Sequence, residues 1–160
     1  MEAFKDYWYV FFISMVPIFE LRGAIPIGLG MGLPMLPTFI IAVLGNTLPV
    51  PFLILFSQKV LRWLAGVKKI GPFFQKIIDK AEGKAKTFGH YELLALFAFV
   101  AIPLPGTGAW TGSLIAAILQ LNWKKALPVI FLGIVAAGVI MSVATAGVFG
   151  AFGHFFEFSA

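Results

Sequence analysis

Four apolar stretches fill most of this chain, at about 7–33, 38–57, 93–121 and 126–153, and two of them are broken near their centres. The breaks are Glu20-Leu21-Arg22-Gly23-Ala24-Ile25-Pro26 in the first stretch and Pro103-Leu104-Pro105-Gly106-Thr107-Gly108 in the third. Proline lacks a backbone donor and its ring collides with the preceding turn, while glycine tolerates backbone angles that a helix cannot use. The intact stretches behave differently: at 1.5 Å per residue, 38–57 rises about 30 Å, which matches the hydrocarbon thickness of a bilayer. The pieces beside the breaks, 8–19 and 93–102, rise only roughly 18 and 15 Å, so each reaches about the midplane.

Composition agrees with a lipid setting. Hydrophobic residues make up 60% of the 160 and charged ones 12%, against roughly 45–50% and 25% in soluble domains. The expected fold is all-α and integral to a membrane: a single membrane domain, 1–160, in which 1–58 and 93–160 are two repeats. Each repeat is a re-entrant helical hairpin followed by one transmembrane helix. A kinked full span is the alternative for each hairpin. No cleavable leader is evident in Met-Glu-Ala-Phe-Lys-Asp, and the first apolar segment is expected to be retained.

Charge fixes the expected sides. The linker 59–92 holds Lys59, Arg62, Lys68, Lys69, Lys76, Lys80, Lys84 and Lys86 against Asp79, Glu82 and Glu92, which makes it cytoplasmic by the bias of lysine and arginine toward that side. Lys124 and Lys125 return to the same side only if the third stretch is a hairpin. The two repeats would then be inverted in the membrane. Val16 to Gly32 lies against Val100 to Ala116 at an offset of 84, and Leu44-Gly45 against Leu132-Gly133 at 88. Paired Gly/Pro-interrupted segments in two inverted halves point to a transport site near the midplane. Within the linker, Phe73, Phe74, Ile77, Ile78 and Ala81 recur at helical spacing with lysines around the rest of the turn, an amphipathic helix suited to an anionic lipid surface. A solvated loop is the equal alternative beyond Glu82.

The candidate site residues follow from cost. Ionisable groups at bilayer depth are expensive and are kept for a partner or a role, which singles out Glu20 and Arg22 beside Gly23. Arg22 suits a phosphate or carboxylate, and a buried Glu20 could carry a coupling proton; a salt bridge that merely closes the tip is the plainer reading. At the second tip, Pro103, Pro105, Gly106, Thr107 and Gly108 offer a half-helix N-terminus, with Thr107 as its cap. Trp110 and Thr111 follow it, although packing alone accounts for Trp110. Asn46, ahead of Pro49 and Pro51, either lines a pathway or bonds a neighbouring helix. Ser142, Thr145, Gly133, Gly138 and Gly147 read as close-packing positions, and Tyr7, Trp8, Tyr9 and Trp123 as interfacial anchors.

Other classes are poorly served. There is no cysteine, no metal-ligand cluster, no phosphate-binding loop and no nucleophile set, so neither an enzyme nor a cofactor is expected, and no nucleic acid partner. A homodimer or larger assembly is expected, since four short helical units make a small wall.

Glu-Leu-Arg-Gly-Ala-Ile-Pro-Ile-Gly (20–28) and Ala-Ile-Pro-Leu-Pro-Gly-Thr-Gly-Ala-Trp-Thr-Gly (101–112) resemble the bacterial and archaeal family called putative small multi-drug export proteins. The resemblance covers nearly the whole chain and implies a prokaryotic cytoplasmic (inner) membrane. That family looks distantly similar to the DedA or VTT superfamily, which is associated with moving lipids such as undecaprenyl phosphate between leaflets and with proton-dependent homeostasis. The likeness implies a functional role for Glu20 and Arg22; the second tip, however, lacks the arginine that DedA proteins commonly have. Three functions stay open: proton-coupled flipping or export of an anionic, lipid-like substrate, export of amphipathic drugs, and a non-transporting scaffold.

Overall fold

A computed structural model describes residues 2–88 and 90–157, with side chains described for 4–80 and 91–150. The described residues form helices and no strand: α1 (Glu2–Met15), α2 (Glu20–Gly30), α3 (Met35–Thr47), α4 (Val50–Ala65), α5 (Gly71–Phe88), α6 (His90–Ala101), α7 (Ala109–Ile118) and α8 (Trp123–Glu157). Among the described residues, two segments are long and apolar enough to cross a membrane, Met35–Ala65 and Trp123–Gly150. The first is α3 followed by α4. It begins earlier and ends later than the stretch 38–57, and it is interrupted at Leu48 and Pro49.

The chain divides into two compact units. One holds Met1–Asn46 with Val135–Ala160, the other Thr47–Ile134. Each therefore takes one pair of short helices, α1 with α2 or α6 with α7, and a part of each long apolar segment.

In the first unit α2 folds back on α1. A Cβ built on Gly28 would lie 3.0 Å from Val10 Cγ2 and would run into the Thr38 methyl of α3. Further along α3, a Cβ on Gly45 would collide with Ser14 Oγ and the Phe11 carbonyl oxygen, so only glycine allows the two backbones this approach. Ser14 Oγ donates to that same carbonyl at 2.7 Å. Gly138 of α8 receives Phe39 and Leu21 in the same way. Val10, Leu21, Ala24, Ile25 and Ala42 form the core, each 2% exposed or less.

The second unit repeats this plan with other residues. Gly133 of α8 sits against Val100 and the Phe97 carbonyl of α6, as Gly45 sits against Ser14 and Phe11. Gln58 Nε2 of α4 donates to the Leu121 carbonyl at 2.8 Å, and Arg62 Nε to Gln120 Oε1 at 3.0 Å, which ties α4 to the turn after α7. α5 is helical past Glu82, so the loop alternative fails there. Ile78 of α5 is buried and Phe73 is 65% exposed; the Ala81 side chain falls outside those described.

Backbone hydrogen bonds after α2 and α7 match more closely than the residue identities do. After α2, the amides of Met31, Gly32 and Leu33 donate to the carbonyls of Ile27, Leu29 and Gly28; after α7, those of Leu119, Gln120 and Leu121 donate to Ile115, Ala117 and Ala116. Every one of these positions is 88 apart from its counterpart. This is the bonding of a helix end closed by a left-handed residue, and Gly32 (φ 82) and Gln120 (φ 51) both supply it. The starts of α3 and α8, Met35 and Trp123, keep the offset of 88, whereas the ends of α1 and α6, Met15 and Ala101, are 86 apart. The expected offset of 84 across the first tip is therefore wrong. The chain between α6 and α7, 102–108, is three residues longer than that between α1 and α2, 16–19.

The first break also moves. Gly23 and Pro26 lie inside α2, and the chain leaves the helix instead at Val16–Phe19, where Pro17 cannot donate to Ile13 and biases Val16 away from helical angles. Pro103 does the same two residues after the end of α6. Of the five close-packing positions, Gly133 and Gly138 serve as expected, but a Cβ on Gly147 would meet nothing within 4 Å.

Gly45→Leu and Gly133→Leu should each lower the thermal unfolding midpoint in detergent, at a cost of about 1–3 kcal/mol or more from overpacking. Gly147→Leu should leave it in place. Equal midpoints for all three variants would contradict the close approach of α3 to α1 and of α8 to α6.

Candidate functional site

The first unit contains Glu20, Arg22, Gly23 and Asn46; the second contains Pro103, Pro105, Gly106, Thr107, Gly108, Trp110 and Thr111. The candidates thus fall into two groups, each with its own chemistry.

Glu20 opens α2 and is only 4% exposed. It also sits at φ 48, a left-handed conformation that costs an L-residue with a Cβ about 1–2 kcal/mol. Its amide donates to the Val16 carbonyl at 2.8 Å, so the turn at Val16–Phe19 is closed onto the first residue of the next helix. Arg22 is half-buried, and the Glu20 carboxylate acts on its guanidinium electrostatically. The two are not on one regular helix face, yet their charges act on each other. Gly23 matters through packing: a Cβ there would lie 3.0 Å from the Phe19 ring. The bare glycine lets that ring fold over the start of α2.

Asn46 is fully buried, and neither Oδ1 nor Nδ2 has a hydrogen-bond partner. Leaving a buried polar group unsatisfied costs roughly 1–3 kcal/mol, so the expected bond to a neighbouring helix is not what keeps asparagine here. Its counterpart at the offset of 88 is Ile134, itself wholly buried. Ser142 Oγ of α8 is likewise buried without a partner. Ser142 was expected only to ease packing, so its unmet hydroxyl is a feature that composition and spacing did not flag.

At the second tip, Gly108 (φ 134) is the N-cap of α7 and carries no side chain to cap it. Thr107, expected to cap, turns back into its own loop. Its Oγ1 donates toward the carbonyls of Ile102 at 2.8 Å and Leu104 at 2.9 Å, and the Leu104 amide points to it at 3.3 Å. Pro105 and Gly106 are exposed, Pro103, Trp110 and Thr111 half-buried. This tip is a self-bonded loop with no charged side chain. The Thr107 hydroxyl is bonded within the loop.

The sequence reading missed one further feature, a cavity of about 320 Å³ lined by Phe4, Tyr7, Trp8, Phe11 and Ile41. Its lining is apolar and its size falls within the range of small-molecule sites. The spacing of the four aromatic residues along α1 was its signal, since positions three and four apart share a helix face. Tyr7 and Trp8 had been read only as anchors. Among the described residues, no group of three His, Cys, Asp or Glu could hold a metal.

The family model described as putative small multi-drug export protein matches residues 20–140, from Glu20 to beyond the second tip. No curated protein and no solved structure matches the chain.

Gly108→Ala should cost about 1–3 kcal/mol, because its φ is denied to a residue with a Cβ. Thr107→Val should speed amide hydrogen exchange at Leu104 without lowering the midpoint comparably. A Gly108→Ala protein that melts with the wild type would rule out this backbone at the start of α7.

Proposed function

Because the chain belongs to the putative small multi-drug export protein family, we propose that it is a secondary exporter of amphipathic molecules, with Glu20 as the group that takes up a proton or a cationic substrate. One observation carries the reading: a carboxyl group 4% exposed, held in a left-handed conformation at the turn of a short helix pair and near an arginine. Strain and a buried charge together are costly, and such costs persist where the geometry is used. Arg22 would favour the ionised carboxylate, and a proton or a lipophilic cation arriving at Glu20 would compete with it for that charge. The apolar cavity on α1 suits the uncharged part of such a substrate.

Lengths support re-entrant pairs. α1 and α2 rise about 21 and 16 Å, α6 and α7 about 18 and 15 Å, each short of the hydrocarbon thickness. Both members of a pair would enter and leave on one side, Met35–Ala65 would cross to the other, and the two repeats would be inverted. α5 would then lie on the cytoplasmic leaflet, its lysines on anionic headgroups. A lipid phosphate as the substrate, expected from Arg22 and the DedA likeness, draws no support from the comparisons.

Two measurements test this. In proteoliposomes with an imposed pH gradient, Glu20→Gln should abolish export of ethidium and Arg22→Ala should slow it severalfold; export by Glu20→Gln at the wild-type rate would remove Glu20 from the mechanism. The cysteine-free chain also allows single cysteines at Lys68 and Lys124 to be labelled from either side. Both should react from the cytoplasm, and reaction from opposite sides would replace the re-entrant pairs with kinked full spans.

A further inference from the structure

Among the described residues of the first unit, Asn46 is a side chain that neither the fold nor the proposed mechanism uses, and unlike the single hydroxyl of Ser142 it leaves both a donor and an acceptor unmet. It is wholly buried, and its donor and its acceptor both lack a partner. Buried polar atoms are paired with protein or with water, so an amide that no protein atom meets can take a partner the chain does not supply. Nor does the fold require a polar side chain here. Ile134 fills the position 88 residues on, in the same place relative to its own glycine: Gly45 precedes Asn46 and packs on α1, and Gly133 precedes Ile134 and packs on α6.

The chemistry of a partner for this amide can be narrowed. A bare cation would satisfy Oδ1 and leave the Nδ2 hydrogens facing a like charge; a bare anion would do the reverse. Both atoms are met only by a neutral group that presents a donor and an acceptor together. We propose that Asn46 is a recognition residue for such a group, a carboxamide, hydroxyl or undissociated carboxyl on the transported molecule, with water of the same hydrogen-bonding character in its place when no substrate is bound. This rests on the exporter reading for its substrate, but not for its test. Recognition by a buried amide discriminates strongly, because an analogue lacking the matching group leaves the amide unpaired again. The site is closed in this structure, and access requires the helix to move. Two residues on, the interruption at Leu48 and Pro49 gives a place for that movement, since a proline there has no amide to offer the Gly45 carbonyl.

The experiment compares tetraphenylphosphonium with its (4-carbamoylphenyl)triphenylphosphonium analogue, two lipophilic cations that differ by one carboxamide. Binding to the purified protein in detergent is read from the shift in unfolding midpoint, with Asn46→Leu and Asn46→Ile as variants. The wild type should bind the carbamoyl compound about tenfold more tightly than the parent. Both variants should lose that preference and bind the parent unchanged. Without ligand, they should unfold no earlier than the wild type, because no protein hydrogen bond is lost with the amide. Equal binding of the two compounds by the wild type, a preference that survives in the variants, or variants that unfold earlier would each overturn the proposal; the first would leave Asn46 a water site only. Transport of both compounds alongside any of these would leave the exporter reading intact. The preference without transport of either compound would uphold Asn46 and overturn the exporter.

Discussion

Pro17 has no amide hydrogen to give the carbonyl of Ile13, and the helix that loses this bond is about 20 Å long, shorter than the hydrocarbon core of a bilayer. In lipid the chain cannot continue as an open strand or loop, because unpaired backbone groups there cost several kcal/mol each. It turns within four residues and pairs with itself as α2. Pro103 imposes the same outcome on α6. From that turn follow the short helix pairs, and from the pairs the glycines at 45 and 133, since a long helix reaches a folded-back pair closely only where it lacks a side chain.

Much of this was legible, but in a shifted register. The apolar lengths gave the helical class and both long segments, and the Pro/Gly clusters gave two interruptions. Pro17 went unnoticed because it lies inside an apolar run, whereas Gly23 and Pro26 drew attention and turned out to be helical. A proline in the second turn of a helix bends it without ending it when the turn before is already closed, as the bonds from Glu20 to Val16 and Gly23 to Phe19 close it here. Gln58 and Gln120 were not legible at all. Nothing in a polar residue at the end of an apolar run says which group, roughly 60 positions away, it will meet.

The candidate residues separate by what their polar atoms do in the fold. Thr107 has its hydroxyl committed to its own loop, and Gly106 and Gly108 serve backbone geometry. Glu20 and Asn46 are the reverse: the fold would be relieved of strain at one and of an unmet amide at the other by plain substitutions. Spacing nominated all of them alike, since a sequence shows which residues are polar and not whether their hydrogen bonds are already made.

The hydrogen bonds that close α2 recur at α7 although glycine holds the left-handed position in one and glutamine in the other. A protein assembled from two identical copies of such a half would carry every substitution twice, and any residue suited to chemistry but harmful to packing would burden both places. Joined in one chain, the halves are released from each other. The first keeps an acid, an arginine and an unsatisfied amide; the second has glycine and isoleucine where the first has Glu20 and Asn46, and spends those positions on cohesion. The chain has the freedom of two units closed by the same bonds, one of which can carry the polar groups while the other is given to packing.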